Sequence, residues 1–377
     1  MRHTWKERFS QAGVVAGIAA CCVSVWAEAA VAQGPPGGQR QPPPSPDART
    51  VAGWQIRPAA QTNLWFHTLA VIAADQPGPL GLYSAEYARR IRDVKQELGI
   101  YPTRLDSLAT DLREDIGDAR GVMETMHFVP LYFPSADPEA MLAALRAVSR
   151  RNARDEALKS PDVQFGAFYL AQVMEQGGDR GLLGRLVAAA EHEWNVFYRA
   201  YWEDNLAEQE ARIAEMQDMW DTFIAPQLGS YLERERLDAG LVMPSPALGP
   251  EGRIVEFEEF QRGDQVVAVQ DPLDAEGVDA TVYAFLKELC FLIIDDRALF
   301  GGRSVSDDEL DDVRRRAAVR CGAMLLGFYA PTLSARYRRV FLDAVGAEES
   351  STVAAFERVY FLDPEVVRRL QDQIRGR

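Results

Sequence analysis

The sequence predicts an α+β fold that is mainly helical, and three observations carry that reading. Amphipathic segments of helical period follow one another from residue 57 to 235. Two β-like runs, Ile254 to Phe260 and Gln265 to Gln270, flank Arg262-Gly263-Asp264 in the manner of a hairpin spanning 254–270. A helix over 280–295 then follows that is apolar around its whole circumference, which only a helix surrounded by protein can be. These divide the chain into a helical lobe (57–235) and a second lobe (236–377) that carries the hairpin, the apolar helix and the C-terminal helices.

Residues 1–32 read as a secretory signal peptide. Arg2, Lys6 and Arg8 precede an apolar run from Ala12 to Trp26, and Ala30-Val31-Ala32 supplies a small-x-small cleavage site. The run is too short, and too interrupted by Ser24 and Glu28, for a span of about 20 residues. Ile18-Ala19-Ala20-Cys21 offers an alternative, a lipoprotein in which Cys21 is acylated. The expected location is therefore exported, periplasmic or extracellular, with a lipid anchor at Cys21 as the variant and no transmembrane anchor after cleavage. Residues 33–56 form a Pro/Gly-rich linker, with six prolines between Gly34 and Pro46.

The formal charge of −15 argues against nucleic acid and anionic lipid as partners, because both would be repelled. Lysine is rare: Lys6, Lys95, Lys159 and Lys287 are four of 41 basic residues, which draws attention to each.

Along the helical lobe, Leu64, Trp65, Phe66, Leu69 and Ile72 mark a first helix. Ser84 to Leu98, Thr103 to Thr125, Asp137 to Arg151 and Ser160 to Glu175 mark four more, the last with Ser as N-cap and Pro161 in its first turn. Gly177-Gly178-Asp179-Arg180-Gly181 is a helix-connecting turn; it lacks the spacing of a phosphate loop. From Leu182 to Tyr231 a long helical tract places Tyr198, Trp202, Leu206, Ile213, Met216, Trp220 and Ile224 on one stripe. Its aromatic group, Trp194, Phe197, Tyr198, Tyr201 and Trp202, reads as core packing rather than a ligand cage.

In the second lobe, Asp279 is the expected N-cap of the apolar helix, and Val282 through Ile294 contains only two charges, Lys287 and Glu288. Neither finds an opposite charge at i±3 or i±4, and adjacent residues point about 100° apart on a helix. Partners are thus expected from elsewhere: Asp307 to Asp312 for Lys287, and Arg314, Arg315 or Arg316 for Glu288. Ser306-Asp307-Asp308-Glu309 supplies a capping box for a helix running to Tyr329, where Pro331 stops it. Asp363 with Pro364 opens the last helix.

The segment Lys287-Glu288-Leu289-Cys290-Phe291 has the spacing of the zinc-protease motif H-E-x-x-H with both histidines replaced. With the preceding hairpin and the capped helix carrying Ala318-Val319-Arg320-Cys321-Gly322-Ala323, it resembles secreted bacterial gluzincin-type (zincin-like) metallopeptidases over Arg253 to Arg377. In that family the motif gives two histidine ligands and a glutamate base, and a carboxylate on the second helix completes the zinc site. Carried across, Glu288 stands at the general-base position, Lys287 and Phe291 at the remnant ligand positions, and no residue can be assigned to the third. A protonated lysine and a phenylalanine offer zinc no lone pair, so no cofactor is expected. The resemblance implies a non-catalytic binding or structural pseudoenzyme, with a peptide or an envelope protein as its partner. An active metal-dependent hydrolase with ligands elsewhere, or an envelope protein with no ancestral site, are the alternatives. His67, His127 and His192 lie in separate segments without ligand spacing. Cys290 and Cys321, the two cysteines beyond the leader, could form a disulfide in an oxidising compartment or stay as buried thiols.

Overall fold

The computed structural model describes residues 53–73, 82–118, 125–152, 155–175, 178–250, 252–255, 265–271, 277–294, 299–300, 306–347 and 352–376. The segments expected to be signal peptide and linker, up to residue 52, lie outside these. A small sheet separates two helical layers. Its strands, β1 (Trp54–Ile56), β2 (Gly240–Ser245), β3 (Arg253–Val255) and β4 (Gln265–Gln270), are ordered β1-β2-β4-β3. β1 runs parallel to β2 and β2 parallel to β4, while β3 lies antiparallel on β4 with Arg253 opposite Ala268. The mainly helical α+β expectation holds. β3 and β4 pair antiparallel, and residues 256–264, where the hairpin turn at Arg262-Gly263-Asp264 is expected, lie outside the described residues.

Two strands went unread. β1 sits at the end of the stretch read as linker, and β2 in the stretch after the long helix. β1 is three residues long and β2 contains Pro244, so neither shows a usable alternation. Gly240 lets them approach: a Cβ there would lie 2.5 Å from the Trp54 ring and 2.7 Å from the Gln265 carbonyl oxygen.

The first layer contains α1 (Ala60–Ala73), α2 (Ala85–Glu97), α3 (Arg104–Asp118), α4 (Pro138–Ser149), α5 (Pro161–Glu175) and α6 (Arg180–Glu193). Ser84 and Asp137, where the sequence starts two of these helices, cap them, and Asp179, read as part of a connecting turn, caps α6: their side chains accept from the backbone N–H of Tyr87, Ala140 and Leu182. The long tract is one run broken by two π-helical turns: α6, a first π turn (Trp194–Tyr198), α7 (Arg199–Met219), a second π turn (Trp220–Ile224) and α8 (Ala225–Arg234). The second layer holds the apolar helix α9 (Val278–Ile293), then α10 (Asp307–Tyr329), α11 (Pro331–Ala344), α12 (Val353–Val359) and α13 (Pro364–Arg375). Gly277, not Asp279, is the N-cap of α9; Asp279 lies in the first turn, paired with Arg336 of α11.

Alternate residues of the sheet feed the two layers. Met243, Val266 and Ala268 pack into the core of α1 to α6, whereas Trp54, Val242, Val267 and Val269 pack into the core around α9. Both faces are covered, which explains why β4 is an almost unbroken apolar run. α7 also joins the layers, since Tyr198 beside its start belongs to the first core and Ile213 and Met216 to the second.

Candidate functional site

α9 is held on every side: Trp54 and Trp220 pack on Phe285, with ring centroids 4.7 and 4.5 Å away. Its two charges are buried, with Lys287 4% and Glu288 2% exposed. They pair with each other, Nζ to Oε1 at 2.6 Å. This differs from the expectation that partners come from the next helix. The four-carbon lysine stem lets the ammonium curl back over the helix surface to a point the glutamate also reaches, so the 100° between adjacent residues is spanned. Arg316 is instead turned to Asp312 at 2.6 Å and to the Phe361 carbonyl at 2.8 Å.

The segment before β3 completes the pair's surroundings. The Gly252 N–H donates to Glu288 Oε1 at 2.8 Å, and Lys287 Nζ donates to the Pro250 carbonyl at 3.3 Å. Gly252 is required by this approach, because a Cβ there would lie 2.6 Å from Glu288 Cγ and 2.6 Å from the Ala268 carbonyl oxygen. Phe291 presents its ring to the ammonium, 5.6 Å from the centroid. The three motif positions therefore do converge, but as a cation enclosed by a carboxylate, a carbonyl and an aromatic face.

Zinc does not fit this arrangement. The ammonium lies beside the Glu288 carboxylate, Phe291 has no lone pair, and Glu288 Oε1 already takes a backbone N–H and a cation. Among the described residues no group of three or more His, Cys, Asp or Glu is placed to hold a metal. Cys290 and Cys321 are free, buried thiols. Burial, then a hydrogen bond to Cys321, pushes the Cys290 thiol well up, which makes it a poor nucleophile.

A second polar cluster lies inside the helical lobe, and the sequence reading passed over it. His67 of α1, fully buried, contacts Glu193 at the end of α6 (Nε2 to Oε1, 3.0 Å) and the Tyr87 hydroxyl (Nδ1, 2.9 Å). Lys95 of α2, also fully buried, donates to Glu193 Oε1 at 2.5 Å and to both Asp106 oxygens at 3.0 and 3.1 Å. The Thr103 hydroxyl lies 2.6 Å from Glu193 Oε2, and the Thr103 N–H donates to Asp106 Oδ2 at 2.9 Å as a cap of α3. Burial opposes ionisation of Glu193, yet the hydrogen bonds from His67 and Lys95 and the charge of Lys95 outweigh it and hold the carboxyl at about 2. Burial lowers His67, which is neutral at pH 7. An ionised Glu193 can only accept, so His67 carries its proton on Nε2 and accepts the Tyr87 O–H at Nδ1.

Two signals for this cluster were present in the sequence: the scarcity of lysine, and the isolated His192-Glu193 pair. The participant is Glu193; His192 is only half-buried. What hid the cluster is separation, since His67 and Glu193 are 126 residues apart. The π turn begins directly after Glu193 and brings Tyr198 beside His67, ring centroids 4.4 Å apart. His127 is elsewhere, 2.5 Å from the Tyr83 hydroxyl, so the three histidines do not assemble.

Comparison with known proteins finds no match to this chain among protein-family models, curated proteins or solved structures.

Proposed function

We propose that the protein is an exported, non-catalytic relative of the zincin-type metallopeptidases, in which the motif helix has kept its glutamate as a structural group. One observation carries the reading. The Lys287 ammonium, 2.6 Å from Glu288, supplies the positive charge that a metal supplies in the active family. The carboxylate is then neutralised, hydrogen-bonded to Gly252 and withdrawn from solvent, so it has neither a metal-bound water to deprotonate nor access to a substrate.

The role of the pair is to fasten α9 to the segment that leads into β3. A peptide or envelope-protein partner would be held elsewhere, because Pro250 and Gly252 lie directly on the pair. The reading is tested by metal analysis. Purified protein dialysed against zinc and then buffer is expected to retain less than stoichiometric metal, and its melting temperature to be the same with and without chelator. Stoichiometric zinc together with chelator-sensitive melting would overturn it.

A further inference from the structure

The second π turn decides what the long helical run leaves outside the core. Pro226, in the first turn of α8, has no N–H to give to the preceding turn, and the register shifts there. Trp220 and Ile224 enter the second core, while Phe223 is left 52% exposed.

Beside Phe223 a cleft of about 610 Å³ lies between α7, the start of α9 and α11. Met219, Val278 and Leu333 reach it from these three helices, each partly buried against the second core, so apolar surface continues from that core to the outside. Such a surface rimmed by charge marks an interaction site. With Phe223 more than half exposed, the cleft covers one side of an occupant, short of the roughly 70–90% burial that small-molecule sites give. A segment of a larger molecule suits it better.

The charges select among such segments. Asp279 and Arg336 line the cleft as an ion pair and offset each other. Glu215, also in the lining, is exposed and has no ion-pair partner among the described residues. At 100° per residue, Asp204 and Asp218 lie within about 60° of Glu215 around α7. Both are exposed and without an ion pair among the described residues; Asp218 accepts the Thr222 hydroxyl at 3.2 Å. These acids give the cleft a negative edge that runs along α7 for about 16 Å between Asp204 and Glu215. A second copy of this chain, with its formal charge of −15, and an anionic membrane would both be repelled.

We propose that this cleft docks a cationic, apolar-faced segment of another protein. Its apolar side chains lie on Met219, Phe223 and Leu333, and its lysines or arginines follow Glu215, Asp218 and Asp204. The apolar contact supplies affinity, and the acidic edge supplies orientation and speed of encounter. The proposal does not depend on the reading of Lys287 and Glu288, so metal content and peptide binding can fail separately.

Isothermal titration of the full protein with acetylated, amidated twelve-residue peptides tests it: three repeats of Lys-Leu-Leu-Lys, the same peptide with Glu for Lys, and the same peptide with Ser for Leu. The first is expected to bind one to one with a Kd on the order of 10 µM, and the other two at least about tenfold more weakly. Glu215→Lys and Phe223→Ser should each weaken the first peptide about tenfold. Glu203→Lys makes the same charge change about 120° away around α7 and should leave its affinity within about twofold. Equal weakening by Glu203→Lys and Glu215→Lys, or equal binding of the serine peptide, shows diffuse attraction to an acidic protein and overturns the proposal. Absence of binding, or preference for the acidic peptide, overturns it too. A dimer in sedimentation velocity that Phe223→Ser dissolves assigns the cleft to a second copy and does the same. Circular dichroism identifies a variant that has lost its fold, and the other cleft variant then decides.

Discussion

Lysine is scarce in this chain, and two of its four lysines, Lys95 and Lys287, are buried against carboxylates. In both places one compact ammonium serves more than one acceptor. That Lys287 and Glu288 are buried could be read from the apolar sequence around them. That they meet could not, because a rule about directions on a helix ignores the length of the lysine stem. His67 and Glu193 each look unremarkable in their own helix, and only the tertiary fold joins them. The histidines make a pH prediction. His67 is lowered by burial and His127 is lowered, mainly by burial, to about 3, against 6.5 when unfolded. Below pH 6.5 the unfolded chain therefore binds protons that the folded chain refuses, so stability is complete above 6.5 and falls as pH drops toward 3. Glu193, held at about 2 against 4.5, adds a further loss below pH 4.5. Each histidine contributes a slope of at most about 1.4 kcal/mol per pH unit. Urea melts between pH 7.5 and 4.5 should show the decline, and His127→Gln should flatten it; equal stability across that range would refute the assignment.

At the scale of the element, the helices were the legible part. Ser84, Asp137, Ser306 and Asp363 cap helices at the starts the sequence predicts. The π turns were not legible, because each adds a residue to a turn without leaving a mark in composition. The first of them carries the chain from Glu193 to Tyr198 and so sets Tyr198 beside the buried cluster. The segment before β3 is defined by Gly252. Replacing it with alanine should force its backbone away from Glu288 and Ala268 and destabilise the protein by about 1–3 kcal/mol. A denaturation midpoint equal to that of the parent would show that this packing is looser than described.

For the whole molecule, the division into two lobes is less sharp than the sequence pattern suggests, because one sheet serves both cores. β1 makes this concrete. It comes from the N-terminal end of the described chain, yet Trp54 donates its indole N–H to the Leu237 carbonyl at 2.8 Å and packs on Phe285 of the motif helix. Trp54→Ala should therefore cost about 3–5 kcal/mol and lower the stability of both layers in a single transition. Two separate transitions, with only one displaced, would indicate independent lobes. Among the described residues no helix is long and apolar enough to cross a membrane.

The claim at the centre of the account is that Lys287 stands in for a metal as the cation that keeps Glu288 buried. A double-mutant cycle in urea tests it most directly. Lys287→Met and Glu288→Leu should each cost about 3–5 kcal/mol, since each strands an unpaired charge, while the double variant should return to within about 1 kcal/mol of the parent. Single variants as stable as the parent, or losses that add in the double variant, would contradict it.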